Sequence, residues 1–215
     1  LTKRTGQTSP YSAAFTGCGF MLAETVALLP VLQSPDAETR LKAEVADNRI
    51  LQLGKAKTRA RNIAEIRRRF NSVPRSFWDW FALLASPESQ RCALFFVLLK
   101  TYHLLFDFQL NVVLPQFRSA SQMLTNADLL MRLNEIAAHD GFVEGWSDQT
   151  KSRACAGCLL FLREAGILDR ASGRLHPPRV ADEVFAHFLS LGEGWFLEAC
   201  LLQPFEINRI RETLG

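Results

Sequence analysis

The sequence predicts an all-α protein built as a multi-helix bundle. Three observations carry this. Helix start signals recur at short intervals, apolar residues return with a period near 3.6, and the period-2 alternation of half-buried strands is nearly absent. With 215 residues, 48% of them hydrophobic, the chain is long enough to bury a substantial core and too apolar to be a disordered segment.

The elements follow in order. A first helix is expected from about Gly19 to Leu29, ended by Pro30. Ser34-Pro35-Asp36 places a cap, a proline at the first helical position and an acid in the first turn, opening a second helix to about Asn48. A basic third helix covers about Lys55 to Asn71. Pro74 stops it, and Phe77-Trp78-Asp79-Trp80-Phe81 predicts a short aromatic helix. Ser86-Pro87-Glu88 repeats the start signal for a long apolar helix, expected to bend near Asp107 and continue to Phe117.

Thr125 and Asp128 have the spacing of a capping box, for a helix broken at Asp140-Gly141. Ser147-Asp148 caps another helix running to Ala165, terminated by Gly166. Ile167-Leu168 and Arg174-Leu175-His176 flank Asp169-Arg170-Ala171-Ser172-Gly173, the pattern of a short β-hairpin. Helices near 180–191, 195–202 and 205–214 complete the chain. The expected organisation is a flexible N-terminal arm over 1–16, a helical half with the basic helix over 17–118, and a second helical half over 119–215. That second half has the outline of a helix-turn-helix with a wing.

Charge is uneven. Residues 51–80 hold eight Lys or Arg against Glu65 and Asp79, a balance of +6, whereas the whole chain sums to only +3. A local basic patch is the electrostatic footprint of an anionic partner. At 100° per residue with Ile63 at zero, Lys57, Arg61 and Arg68 fall at about 120°, 160° and 140°, opposite a core face of Ala56, Ile66 and Phe70. Like charges four apart destabilise a bare helix, so the stripe points to a polyanion, against the alternative of a solvated face met by acidic neighbours. Lys55, Arg69 and Arg75 extend the candidate nucleic-acid surface. Arg59 and Arg67 flank the core face and are expected to snorkel or pair with carboxylates.

In the second half, Thr150, Lys151 and Arg153 lie in the first turns of the helix preceding the hairpin, where phosphates or base edges are reached in winged helix-turn-helix proteins. Arg174, with Arg170 and Arg179, makes the wing basic. The competing reading is an ordinary helical hairpin in a bundle.

Other classes are disfavoured. Cys155 and Cys158 face the core with no further ligand at suitable spacing, so no metal is expected, nor any cofactor. The five cysteines have no disulfide framework, as in a reducing cytoplasm. No glycine-rich phosphate loop, nucleophile elbow or His-Glu-x-x-His pattern occurs, and an enzyme is not expected. The apolar stretch Cys92–Leu114 fails a membrane test, since a span needs about 20 nearly uncharged residues and Lys100 and Asp107 interrupt it.

Several motifs then fall in a familiar order. They are Tyr11-Ser12-Ala13-Ala14-Phe15-Thr16-Gly17 followed by Glu24; Asn48 and Leu51 ahead of Thr58-Arg59-Ala60-Arg61 and Ile66-Arg67-Arg68-Arg69-Phe70; Gln90-Arg91-Cys92-Ala93-Leu94 with Lys100-Thr101-Tyr102 and Asp107-Phe108; and Trp146-Ser147, Thr150 and Leu162-Arg163-Glu164-Ala165-Gly166-Ile167-Leu168. Together they resemble the BrxA family over nearly the whole chain. The resemblance implies a small helical protein of a bacterial phage-exclusion (BREX) defence system, acting beside a methyltransferase and ATPase components. It also implies a fold similar to the RNA-binding antitermination protein NusB, and DNA binding. The membrane label also attached to the family conflicts with the charges in the apolar stretch. The sequence thus points to a non-catalytic DNA-binding accessory protein, with a scaffold in the defence complex or an RNA-binding protein as alternatives.

Overall fold

A computed structural model describes residues 9–213. Helix accounts for 68% of the residues. The thirteen α-helices among the described residues are α1 (Leu22–Leu32), α2 (Ala37–Asp47), α3 (Ala56–Phe70), α4 (Arg75–Leu83), α5 (Pro87–Thr101), α6 (His103–Phe108), α7 (Leu114–Arg118), α8 (Asn126–His139), α9 (Gly141–Glu144), α10 (Asp148–Glu164), α11 (Asp182–Ser190), α12 (Trp195–Ala199) and α13 (Pro204–Glu212). A 3₁₀ turn at Ala14–Gly17 precedes α1, and a π-helical turn at Gln109–Val113 joins α6 to α7.

Local capping chemistry sets several starts. Ser86 accepts from the Ser89 amide ahead of α5, and Ser147 accepts from the Thr150 amide ahead of α10. Thr125 and Asp128 form a complete capping box on α8. Each cap satisfies amides that the first turn leaves without partners.

Two apolar clusters result. The larger runs from Phe15 through α4, α5, α6, α8 and α10 to Ile210 in α13, so residues 119–125 do not separate two cores. The smaller joins α1, α2 and α3 through Leu28, Leu32, Leu41, Ile63 and Ile66. The link from α2 to α3 is tied down by Glu44, a buried carboxylate that accepts from the amides of Arg49, Ile50 and Leu51.

The structure departs from the sequence expectations at five places. Pro30 sits inside α1 rather than ending it. The two residues beyond it, Val31 and Leu32, are buried in the smaller cluster, and that burial outweighs the missing amide. The second helix starts at Ala37, because Ser34 donates its hydroxyl to the Val31 carbonyl instead of capping.

The long apolar helix breaks at Tyr102 and not near Asp107, with α5 and the following helical run crossing at 109°. Tyr102 is extended because its phenol is drawn inward to Arg69 and Glu65, whereas Asp107 stays helical and takes a two-pronged pair with Arg132 at 2.8 and 2.9 Å. Lys100 likewise pairs with Glu193 at 2.9 Å. Among the described residues no single helix is long and apolar enough to cross a membrane; the bent pair formed by α5 and His103–Arg118 passes that test of length and composition only when taken together.

The hairpin expected at 167–176 does not form. There are only isolated bridges, Leu168 with Leu175 and Met123 with Arg174. The backbone of 173–175 is shared, since the Leu175 amide donates to Gln122 and the Leu124 amide to Gly173. Pro177 and Pro178, which have no amide to donate, stop any ladder from extending. Finally, the expected flexible arm is folded in its described part. Phe15 is fully buried, and Tyr11 reaches Asp107. Residues 1–8 of that arm lie outside the described residues.

Candidate nucleic-acid interface

The basic helix α3 is sorted by its two faces. Arg69 is 0% exposed and is not a surface residue, which corrects its place in the expected interface. Its guanidinium donates to the Tyr102 hydroxyl at 2.9 Å and to the carbonyls of Phe20 and Gly19 at 2.7 and 2.8 Å. The reason lies in the chain before α1. Gly19 and Met21 both hold left-handed backbone, at φ +69° and +60°, and the sharp turn leaves carbonyls pointing inward with no helical partner. Arg69 supplies the donors. Arg59 behaves alike, donating to Val45 and Leu53, and closes the α2–α3 link.

The opposite face is free of such duties. Lys57 and Arg61 are exposed. Arg68 lies over the Tyr102 ring, 5.2 Å from its centroid, with the Glu65 carboxylate 3.7 Å away. Lys55 is the residue before α3 and is exposed. Among the described residues, the carboxylate pairs on this helix are those of Arg68 with Glu65 and Arg67 with Glu38. Arg75 is also exposed, but its guanidinium donates to the Gln33 carbonyl at the end of α1.

On α10, Thr150 shares a cap with Ser147 (2.9 Å between hydroxyls), Lys151 is half-buried and Arg153 is exposed. Cys155 and Cys158 are buried, and burial raises the Cys155 thiol to about 11 and pushes that of Cys158 higher still. Arg174 donates to Gln122 at 2.8 Å and Arg170 to Glu164 at 3.0 Å, so both are held by the fold while remaining exposed.

The turn Ala14–Gly17 brings two of the predicted segments together. Phe15 packs into α10, where a side chain on Gly157 would start 3.1 Å from its ring, and it also meets Tyr102 and Phe161. Gly17, two residues on, lies beside Arg61, whose Nη1 is 3.8 Å from the place a side chain there would begin. Arg153 stands one helical turn before Gly157 on the same side of α10. Arg61 of the α3 stripe and the middle of α10 at Gly157 therefore flank this turn, while Arg75 and Arg174 are anchored elsewhere. Sequence reasoning did not assign this turn. Its signal was Gly157, whose missing side chain lets the Phe15 ring approach α10 closely.

Fold and site together define an all-helical protein with a partly buried basic helix and no metal-holding group of His, Cys, Asp or Glu among the described residues. The sequence matches the profile of the family BrxA over residues 9–192, and the chain belongs to that family. It is accordingly a BREX-associated protein. None of the curated proteins matches it. A crystal structure of an uncharacterized protein from Magnetospirillum magneticum is similar, with TM-score 0.72 and 24% identity, covering 89% of this chain and 98% of that one. At that identity the likeness bears on fold alone.

Proposed function

We propose that this BrxA-family protein binds nucleic acid without catalysing a reaction, with DNA as its first partner, and serves as an accessory within a phage-defence complex. One observation carries the reading. The basic residues of α3 divide into buried ones, Arg59 and Arg69, that hold carbonyls, and an exposed stripe of Lys57, Arg61 and Arg68, whose one carboxylate pair among the described residues, Arg68 with Glu65, lies within the helix itself. Side chains of that second kind are kept for a partner, and phosphates are what a row of like cations meets best. The exposed turn at Ala14–Gly17 and Arg153 on α10 widen the surface.

A mobility series tests it, using duplex DNA, single-stranded DNA and structured RNA at two salt concentrations. Binding should weaken with salt at about −0.9 logarithmic units per phosphate neutralised. The variant with Lys57, Arg61 and Arg68 all changed to Glu should keep its fold and lose binding. If it folds and binds duplex DNA like the parent, α3 is not the nucleic-acid surface, and a scaffold role toward other defence proteins replaces this reading.

A further inference from the structure

We infer that Tyr102 and Glu65 are positioning residues of the α3 stripe: the Tyr102 hydroxyl commits the Glu65 carboxylate to the buried Arg69 and so leaves Arg68 free to meet a phosphate. This rests on the nucleic-acid reading above and deepens it, since neither residue need touch the ligand. Arg69 is fully buried, yet its direct partners, the Tyr102 hydroxyl and the Gly19 and Phe20 carbonyls, are all neutral. They satisfy its N–H groups and bring no countercharge, and a guanidinium out of water calls for one.

The countercharge arrives through the phenol. Arg69 donates its Nε–H to the Tyr102 oxygen at 2.9 Å, and the same hydroxyl donates its proton to Glu65 Oε1. The hydroxyl thus stands between a cation and an anion, with its lone pair turned to one and its O–H to the other. Burial, ahead of every other cause, lifts the phenol above its ordinary value of 10, so it stays protonated and goes on donating throughout the neutral range. Glu65 and Arg69 lie one turn apart on α3, and Tyr102 at the α5–α6 bend comes between their ends.

Arg68 stands above this relay. Its guanidinium lies over the Tyr102 ring, 5.2 Å from the centroid, and its Nη1 is 3.7 Å from the same Glu65 oxygen that takes the phenol proton. A charge-assisted N–H···O bond spans about 2.7–2.9 Å, so these two groups are neighbours that have not closed on each other. Depth separates them as well, with the Glu65 side chain 14% exposed and that of Arg68 45% exposed. Arg61, one turn before Glu65, is outside the carboxylate pairs of α3 among the described residues. A carboxylate within one turn of two stripe cations ordinarily cancels one of them. Turned inward by the phenol, it neutralises Arg69 instead, and Lys57, Arg61 and Arg68 keep their full charge for a phosphate backbone.

The slope of log affinity against log salt reads the number of cations that meet phosphates, and fluorescence anisotropy with one labelled duplex DNA measures it for the parent and three variants. Tyr102→Phe keeps the ring under Arg68 and deletes the hydroxyl, so Glu65 is released to close on Arg68, and the slope should flatten by about one unit. Glu65→Gln alone should leave the slope at the parent's value, because that carboxylate is already committed to Arg69. The double variant should regain the parent's slope. A role confined to stability would lower the urea midpoint of Tyr102→Phe and move none of the slopes. An unchanged slope in folded Tyr102→Phe overturns the inference. So does a slope about one unit steeper in Glu65→Gln, which would mean that Glu65 already cancels Arg68. Should Tyr102→Phe fail to fold, Glu65→Gln decides by that comparison. If the variant with Lys57, Arg61 and Arg68 changed to Glu loses the DNA while Tyr102→Phe keeps the parent's slope, only the relay falls and the stripe stands. If the triple variant binds as the parent does, the stripe falls and the relay with it.

Discussion

The two faces of α3 carry the same residue type to opposite ends. On one, Arg59 and Arg69 are buried and their guanidinium groups bond main-chain carbonyls; on the other, Lys57, Arg61 and Arg68 face solvent. Charge counting along the chain treats all five alike. Burial separates them, because a cation can leave water only where fixed oxygens replace its hydration. The lesson is that a local surplus of Arg is partly architecture, and only its exposed share is available to a partner.

The largest expected effect breaks the architectural half of that comparison. Arg69→Ala removes the donors to Gly19, Phe20 and Tyr102, leaving buried acceptors unpaired, and should cost about 3–5 kcal/mol. The midpoint of urea unfolding checks it, and an unchanged midpoint would show that the turn before α1 does not depend on this arginine. Arg59→Ala should follow at about 1.5–3 kcal/mol, since its partners lie nearer the surface, in the α2–α3 link.

On the exposed face the expectation reverses. Changing Lys57, Arg61 and Arg68 together to Ala should move stability by less than about 1 kcal/mol, since relief of the one like-charge pair, Lys57 with Arg61, is set against loss of the Arg68–Glu65 pair. The slope of log affinity against log salt should flatten by about one unit for each phosphate that the variant no longer neutralises. A loss of stability as large as that of Arg69→Ala would erase the distinction between the faces.

Two smaller effects lie outside α3 and serve as controls for it. Burial raises the Cys155 thiol to about 11, so alkylation of the native protein at neutral pH should be slow, and fast modification would show that α10 opens. His187, stacked on Trp80 at 3.9 Å, is held by desolvation below its ordinary value of 6.5. The unfolded chain therefore takes the proton first. Stability from this group is fully present above about pH 6.5 and is lost as the pH falls below it, and His187→Gln should flatten that part of the stability–pH profile.

Capping chemistry made several boundaries legible, because Ser86, Thr125 and Ser147 act on amides three residues away. The stripe of α3 was legible for a similar reason, since helical periodicity alone places Lys57, Arg61 and Arg68 on one side. The misplaced features depend on distant partners. Arg69 falls outside both the core arc and the stripe on a helical wheel, and what buries it is a turn 50 residues earlier in the chain. The bend at Tyr102 answers to Arg69 and Glu65, 33 and 37 residues away. The hairpin, by contrast, shrinks to two cross-arm bonds, from the Asp169 amide to Arg174 and from the His176 amide to Ile167, because Pro177 and Pro178 follow at once with no amide to donate.

The sequence by itself determined the helical class, the order of most elements and the family, because these rest on period, caps and the order of short motifs. Only the tertiary structure decided which cations remain in water, that the turn Ala14–Gly17 seats between α3 and α10, and that Tyr102 bends the central helix. Those outcomes depend on which buried carbonyls need donors and where two helices leave room, and such demands exist only once distant segments are packed against each other.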